Sequence, residues 1–369
     1  MLEKYIDELY EKNDLDDEKL LYILENRDDK SREYLVDKSH KTRMKTYGNK
    51  VFMRGLIEFT NYCKKNCEYC GIQNKNRKAD RYRLTYEQIM ECAEIGDRLG
   101  YKTYVLQGGE DSYFNDERMI EIIKGIKKRF PNNAITLSLG ERSYDSYKKM
   151  FDAGADRYLL RHETASKELY EWLHPGEVFG DRIKCLYNLK EIGYQFGAGF
   201  MVGLPRQTNE DLVKDLRFVK EIEPHMCGIG PFIPQKETSL GEYPSGTLED
   251  TITMLALVRL LLPNVLLPAT TALGSIDKVG REKGIKAGGN VVMPNLSPTN
   301  VREKYALYDG KICTGDEAAE CRKCIERRIN NAGFEIAVTR GDNVKWSQEN
   351  PHVPQYDDKI VDINGILGF

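Results

Sequence analysis

The sequence predicts an α/β protein, a (β/α)8 TIM-type barrel with a helical cap before it and an extension after it. Three observations carry that expectation. From residue 51 onward, short runs rich in β-branched and aromatic residues alternate with amphipathic helical segments. Eight such runs fit within about 250 residues, the ordinary span of a barrel. Glycines and charged residues collect just after the runs, at the strand ends where barrel enzymes place their chemistry. A doubly wound sheet shares the alternation, and the strand count is what favours the barrel.

Taken in order, residues 1–48 are rich in Glu, Asp, Lys and Leu. Their apolar positions (Leu2, Ile6, Leu9 and Tyr10, then Leu20, Leu21 and Ile23) recur at helical intervals and predict short amphipathic helices without chemistry of their own. Residues 51–60 read as the first strand. Thr85 and Gln88 make a capping box for a helix whose apolar face holds Ile89, Ala93, Gly96 and Leu99. Further strands are expected at 103–107, 134–139, 156–161, 196–202, 226–231, 265–268 and 290–294. Helices are expected near 116–129, 143–153, 182–192, 208–222, 249–261 and 278–287. The longest apolar stretch, 253–271, is interrupted by Arg259, Pro263 and Asn264, which predicts a buried helix and a strand and not a membrane span. The expected division is a helical cap at 1–48, a barrel at 49–310, and a C-terminal segment with its own cysteines and a tail at 311–369.

Hydrophobic residues make up 40% and charged residues 31% of the chain, which suits a soluble protein with a full-sized core. A net charge of −3 gives no global basic field, so nucleic acid is not an expected partner. The first residues are charged and lack an apolar signal segment. Together with nine unevenly spaced cysteines, this points to a reducing, cytoplasmic setting and away from a secreted disulfide framework.

Three cysteines lie within eight residues: Cys63, Cys67 and Cys70, spaced C-x3-C-x2-C, with Tyr69 just before the third. Three thiolates on one loop can hold three corners of a 4Fe–4S cube and leave the fourth iron with no cysteine nearby. Reactive metal sites keep a position open for substrate, whereas structural ones use four protein ligands. A zinc site completed by a distant histidine or cysteine is the alternative. A second group, Cys313, Cys321 and Cys324, is spaced C-x7-C-x2-C, and an iron–sulfur site is expected there in preference to zinc or free thiols. Cys92, Cys185 and Cys227 stand apart and read as buried cysteines.

The strand ends carry further candidates. After the second strand comes Gln107-Gly108-Gly109-Glu110, where glycines allow close backbone approach and the acid can accept from an ammonium group. The fourth ends in Arg161-His162-Glu163, a carboxylate able to accept from a ribose diol beside an arginine able to pair with a carboxylate; an ordinary loop ion pair is the alternative. Arg182 can contribute in the same way, and His162 reads as structural. Thr270 and Thr271 offer two hydroxyls to a small polar ligand, or simply cap a helix.

With these residues in view, the sequence resembles the radical SAM superfamily, in which S-adenosylmethionine (SAM) chelates the open iron and is reductively cleaved to a 5′-deoxyadenosyl radical. Gly108-Gly109-Glu110 resembles its GGE motif. The turn Gly203-Leu204-Pro205-Arg206-Gln207-Thr208 resembles its GLPGQT turn, with Arg206 where glycine is usual. Within the superfamily, the runs 61–71, 154–165, 228–234 and 268–272 and the terminal Lys311-Ile312-Cys313 resemble HydE, the family of FeFe-hydrogenase maturases, over roughly residues 40–340. That resemblance implies SAM binding by Tyr69, Gln107, Gly108, Gly109, Glu110, Ser138, Arg161, Glu163 and Arg182, with Gly108 standing where the family often has serine. It implies a substrate cavity at Arg54, Thr136, Met226, Thr270, Thr271, Met293 and Tyr305. The implied cofactors are a 4Fe–4S cluster, SAM and a second cluster (2Fe–2S or 4Fe–4S). The implied substrate is a small or organometallic molecule, with the maturases HydG and HydF and a reductant such as ferredoxin as partners. A mutase like methylornithine synthase, sulfur insertion like that of biotin synthase, and a non-catalytic iron–sulfur scaffold or electron carrier are the competing readings.

Overall fold

From residue 50 onward the chain alternates strand and helix as its periodicity requires. The computed structural model describes residues 1–353; the rest of the expected tail, with Pro354, lies outside the described residues. The first strand forms in two pieces, β1 (Lys50–Met53) and β2 (Gly55–Thr60), joined at the buried Arg54. β3 (Thr103–Gly108), β4 (Ala134–Ser138), β5 (Arg157–Leu159) and β6 (Gln195–Ala198) follow, each parallel to the one before. β7 (Met201–Val202) extends the fifth strand, and β8 (Met226–Cys227) with β9 (Gly230–Pro231) makes the sixth. At the break between β6 and β7 two backbones approach so closely that a Cβ on Gly199 would stand 2.1 Å from the Gly228 carbonyl oxygen, which only glycine allows.

The ring closes through the last two strands. Leu266 bridges Met226, and Pro268 bridges Val291 of β10 (Val291–Val292). β10 pairs parallel with β1, and Asn295 bridges Leu56. The seventh strand is the weakest of the eight expected, because Pro268 has no N–H to donate. The Asn290 side chain compensates by accepting the Leu267 N–H at 2.8 Å.

Helices Tyr86–Arg98, Asp116–Arg129, Tyr144–Asp152, Phe179–Ile192, Asn209–Ile222 and Leu248–Leu261 lie between strands. The Thr85–Gln88 capping box forms, an interaction worth about 1 kcal/mol. Helices Lys167–Leu173 and Ala318–Asn331 were not expected, and Thr271–Ile276 only as the alternative in which the threonines cap a helix. Lys167–Leu173 and Thr271–Ile276 span less than two full turns, too little to show a period. The N-terminal helices Leu2–Lys12, Asp17–Glu25 and Asp29–Tyr47 set Ile6, Leu9, Leu20 and Leu35 against Leu216, Leu255 and Val258. Helix Leu248–Leu261 is thereby covered on both sides, which is why it is apolar all round. Among the described residues, no helix is long and apolar enough to cross a membrane.

The segment after the second cysteine group is built into the barrel. β11 (Glu335–Ala337) pairs parallel with β1, Lys50 opposite Glu335 and Phe52 opposite Ala337. The chain then crosses the N-terminal ends of the strands. Arg157, which opens β5, and Arg340 both pair with the fully buried Asp342, and Gln195, which opens β6, donates to the same carboxylate at 2.6 Å. Thr103, first in β3, donates to the Arg340 carbonyl at 2.8 Å. These residues form the barrel's floor, followed by helix Val344–Glu349.

Candidate active site

Above this floor, at the C-terminal strand ends, lies a cavity of about 390 Å3. Its wall includes Cys63, Cys67 and Cys70 on the loop after β2, and Cys313 and Cys321 from the C-terminal segment. Cys324 is not part of the wall and sits one turn beyond Cys321 on helix Ala318–Asn331. The two cysteine groups, far apart in sequence, therefore border one space.

The first cysteine loop is held from several directions. Arg81 donates to the carbonyls of Ile72 at 2.8 Å and Gln73 at 2.7 Å. The Gly71 N–H bonds the Leu307 carbonyl, and the Lys64 N–H bonds that of Glu110, at 2.9 and 3.0 Å. The nine cysteines are all free of disulfides. Burial, then the neighbouring thiol and carboxylate charges, pushes Cys67 far up and Cys70 to about 12. Iron binding at these positions would therefore release protons. Three thiols on one loop beside a cavity suit an iron–sulfur cluster.

Next to the thiols, Gly109 packs so tightly that a Cβ would stand 2.3 Å from the Tyr62 carbonyl oxygen and 2.7 Å from the Cys63 Cβ. Only glycine lets the turn approach the cysteine loop this closely. Glu110 follows, buried, its Oε1 accepting the Glu141 N–H at 2.9 Å while Oε2 has no hydrogen-bond donor but forms a long ion pair, 3.5 Å, to Lys64. Burial raises its pKa. An acceptor left open beside a cavity fits the ammonium of an amino-acid ligand. Gln107 and Ser138 line the same wall, and Gln107 donates to the Tyr305 hydroxyl at 3.4 Å. Across the cavity Arg161 and Glu163 form an ion pair at 2.5 Å. Glu163 has φ of 66°, a left-handed backbone that a non-glycine residue holds only where its surroundings impose it. Tyr69 is held by His174, whose Nδ1–H donates to the Tyr170 carbonyl at 2.8 Å, leaving Nε2 to accept the Tyr69 hydroxyl at 3.1 Å.

The other expected residues divide. Thr270, Thr271, Met293 and Tyr305 line the cavity. Thr270 also caps helix Thr271–Ile276, so the structural role foreseen for it is filled as well. Arg54, Thr136 and Met226 do not line it: Arg54 is fully buried toward the floor, donating to the Gly341 carbonyl at 3.2 Å and contacting the Met226 sulfur at 2.9 Å. His162 is enclosed, with Nδ1 accepting the Gly199 N–H and Nε2 facing Asp215, and burial lowers its pKa to about 3.

Sequence reasoning overlooked a polar network around these groups. Lys65, inside the cysteine loop, pairs with Glu141 at 2.9 Å and Glu177 at 3.0 Å. Arg182 joins Glu141 at 2.6 Å. Burial alone would raise Glu141, but Arg182 and Lys65 hold it at about 2. On the opposite wall Glu58 of β2 pairs with Lys311 at 2.6 Å and accepts from Asn295 at 2.8 Å. The signal for Glu58 was present in the sequence, an acid inside an otherwise apolar strand. Arg281 links the second cysteine group to the cavity, reaching Thr271 Oγ1 at 3.2 Å and Cys313 Sγ at 3.7 Å.

Residues 57–219, from β2 through helix Asn209–Ile222, match the model of the radical SAM superfamily. The [FeFe] hydrogenase maturase subunit HydE of Thermotoga maritima is 47% identical over 301 residues, covering 82% of this chain and 86% of that protein. The chain belongs to the HydE family of radical SAM enzymes. A 3-methylornithine synthase of Methanosarcina acetivorans is more distant, at 30% identity over 91% of this chain and 94% of that one. The solved structure of methylornithine synthase (PylB) superposes with a TM-score of 0.80 at 28% identity, over 90% of this chain and 97% of that one. HydE membership brings a 4Fe–4S cluster and SAM as cofactors. The donors described here fit both, as three free thiols and a buried carboxylate oxygen without a hydrogen-bond donor face one cavity.

Proposed function

We propose that the chain is a maturase acting on a small organometallic substrate during assembly of the di-iron subcluster of FeFe hydrogenase. The observation that carries this is the single cavity bordered by both cysteine groups and by the hydroxyls of Thr270 and Thr271, in a chain 47% identical to a hydrogenase maturase. Cys63, Cys67 and Cys70 would hold the 4Fe–4S cluster. Glu110 would accept from the SAM ammonium, Arg161 or Arg182 would face its carboxylate, and Glu163 would take the ribose hydroxyls, with Tyr69, Gln107, Gly108, Gly109 and Ser138 shaping the pocket. When bound, the cluster supplies one electron for cleavage of the SAM sulfonium. The protein's own work is to orient SAM between the cysteine loop and the Arg161–Glu163 pair, and to set substrate against Met293, Tyr305 and the two threonines.

Cys313, Cys321 and Cys324 would hold the second iron–sulfur cluster. We assign residues 1–48 a covering role, residues 49–310 the chemistry, and 311–369 the second cluster together with the floor. HydG as supplier, HydF as receiver and a cytoplasmic setting complete the reading.

An activation assay tests it. Apo-hydrogenase incubated with the other maturases, SAM and reductant should gain hydrogen evolution only when this protein is added. Equal activity without it would remove the maturase assignment. Formation of 5′-deoxyadenosine without activation would favour a mutase of the methylornithine synthase kind, the relative whose fold is matched at a TM-score of 0.80.

A further inference from the structure

Residues 62–83, which carry the first three cysteines, hold seven Lys and Arg against two acids, in a chain whose net charge is −3. Lys64, Lys75, Arg77, Lys78 and Arg83 are exposed, and Arg118 of the neighbouring helix is exposed beside them. This strap is fastened to the cysteine loop. The Asn74 N–H bonds the Lys65 carbonyl at 2.8 Å, and Arg81 holds carbonyls on both sides.

At its edge, two aromatic rings and two guanidinium groups stack in alternation. Arg83 lies 3.8 Å from the Tyr62 ring and 4.9 Å from the Tyr113 ring, and Arg118 lies 4.0 Å from Tyr113. Tyr62, one peptide from Cys63, is 36% exposed and Tyr113 is 44% exposed.

Some of these cations have partners, and the partners sit lower. Arg83 pairs with Asp111 and Lys64 with Glu110, both acids buried beneath them. Lys75 pairs with Glu68 and Lys78 with Glu237, in each case with the lysine more exposed than the acid. Arg77 and Arg118 have no carboxylate partner among the described residues. Asp80 is the exception, more exposed than its partner Lys304; the outward face is otherwise basic and aromatic, the composition of a protein–protein contact that meets a negatively charged surface.

Reductive cleavage of SAM requires an electron from outside the chain, and this face is the exposed side of the segment that carries Cys63, Cys67 and Cys70. We propose that it is the docking surface for an acidic one-electron carrier protein. The inference rests on Cys63, Cys67 and Cys70 holding the SAM-cleaving cluster. In the step it serves, the carrier is oxidised by one electron and the cluster is reduced by one, with no bond made or broken.

Oxidised flavodoxin, an acidic carrier, serves as the binding probe, followed by fluorescence anisotropy with the reconstituted protein. The double variant Arg77→Glu/Arg118→Glu should bind it about tenfold or more weakly at low salt, and added NaCl should erase most of the difference. With limiting reduced flavodoxin, its 5′-deoxyadenosine formation should fall to a similar degree. With reduced methyl viologen, a small cation, variant and wild type should react alike. Equal flavodoxin binding by the two proteins, or an equal loss with methyl viologen, would overturn the docking surface. No product from wild type with methyl viologen would instead overturn the cluster assignment beneath it.

Discussion

Replacing Cys67 by alanine is expected to abolish 5′-deoxyadenosine formation, a loss of at least about a thousandfold or about 4 kcal/mol. The reason is the ligand count. The loop offers Cys63, Cys67 and Cys70, and the remaining cysteines on the cavity wall, Cys313 and Cys321, lie on a separate segment. Two thiolates cannot hold a cube open at one corner, so the substitution removes the cofactor along with the side chain. The loop itself should persist, since Arg81 and the Gly71–Leu307 and Lys64–Glu110 backbone bonds hold it without help from the thiol. Protein reconstituted with iron and sulfide, given SAM and dithionite, is assayed by chromatography. Comparable product from wild type and Cys67→Ala would show that the cleaving cluster is elsewhere.

Replacing Asp342 by alanine should have the largest effect on stability, about 3–5 kcal/mol, because it leaves the buried Arg157 guanidinium without a carboxylate and takes one of two from Arg340, which keeps Asp156. Asp342 is fully buried between Arg157 and Arg340 and takes a further bond from Gln195. Burial alone would raise its pKa, but the two arginines outweigh burial and hold it far below the usual carboxylate range. The sign follows: a depressed folded-state pKa stabilises the protein above the unfolded value, and that stability is lost as pH falls through the acid range. Wild type should therefore weaken toward low pH, and Asp342→Ala should lack that part of the dependence. Urea unfolding at several pH values measures both. A midpoint unchanged by the substitution would mean that the floor does not contribute to the barrel's stability.

The alternation of strand and helix was legible because each barrel helix shows an apolar face and each strand a short apolar run. The first cysteine loop was legible because its ligands are close in sequence, as was Glu110 from the glycines beside it. The floor was not. Arg340, Asp342 and Asn343 look like an ordinary polar turn, and only the pairing of β11 with β1 carries them beneath the strands. Arg54, a cavity residue by the resemblance alone, is turned to the floor by the same crossing, where its partner is the Gly341 carbonyl. Lys65, Glu141 and Glu177 escaped notice because their pairing joins three separate loops, and spacing along one chain does not report such contacts. The shared cavity of the two cysteine groups was hidden likewise, set by the Lys311–Glu58 pair and the Arg281 bridge and not by any motif.

The central claim is that the Cys63–Cys67–Cys70 site leaves a position that SAM fills. Low-temperature electron paramagnetic resonance of the dithionite-reduced, reconstituted protein, recorded without and with SAM, tests it most directly. One component of the signal should change shape when SAM is added, and that component should be missing from Cys67→Ala while the second cluster's signal remains. A wild-type spectrum in which no component responds to SAM would contradict it.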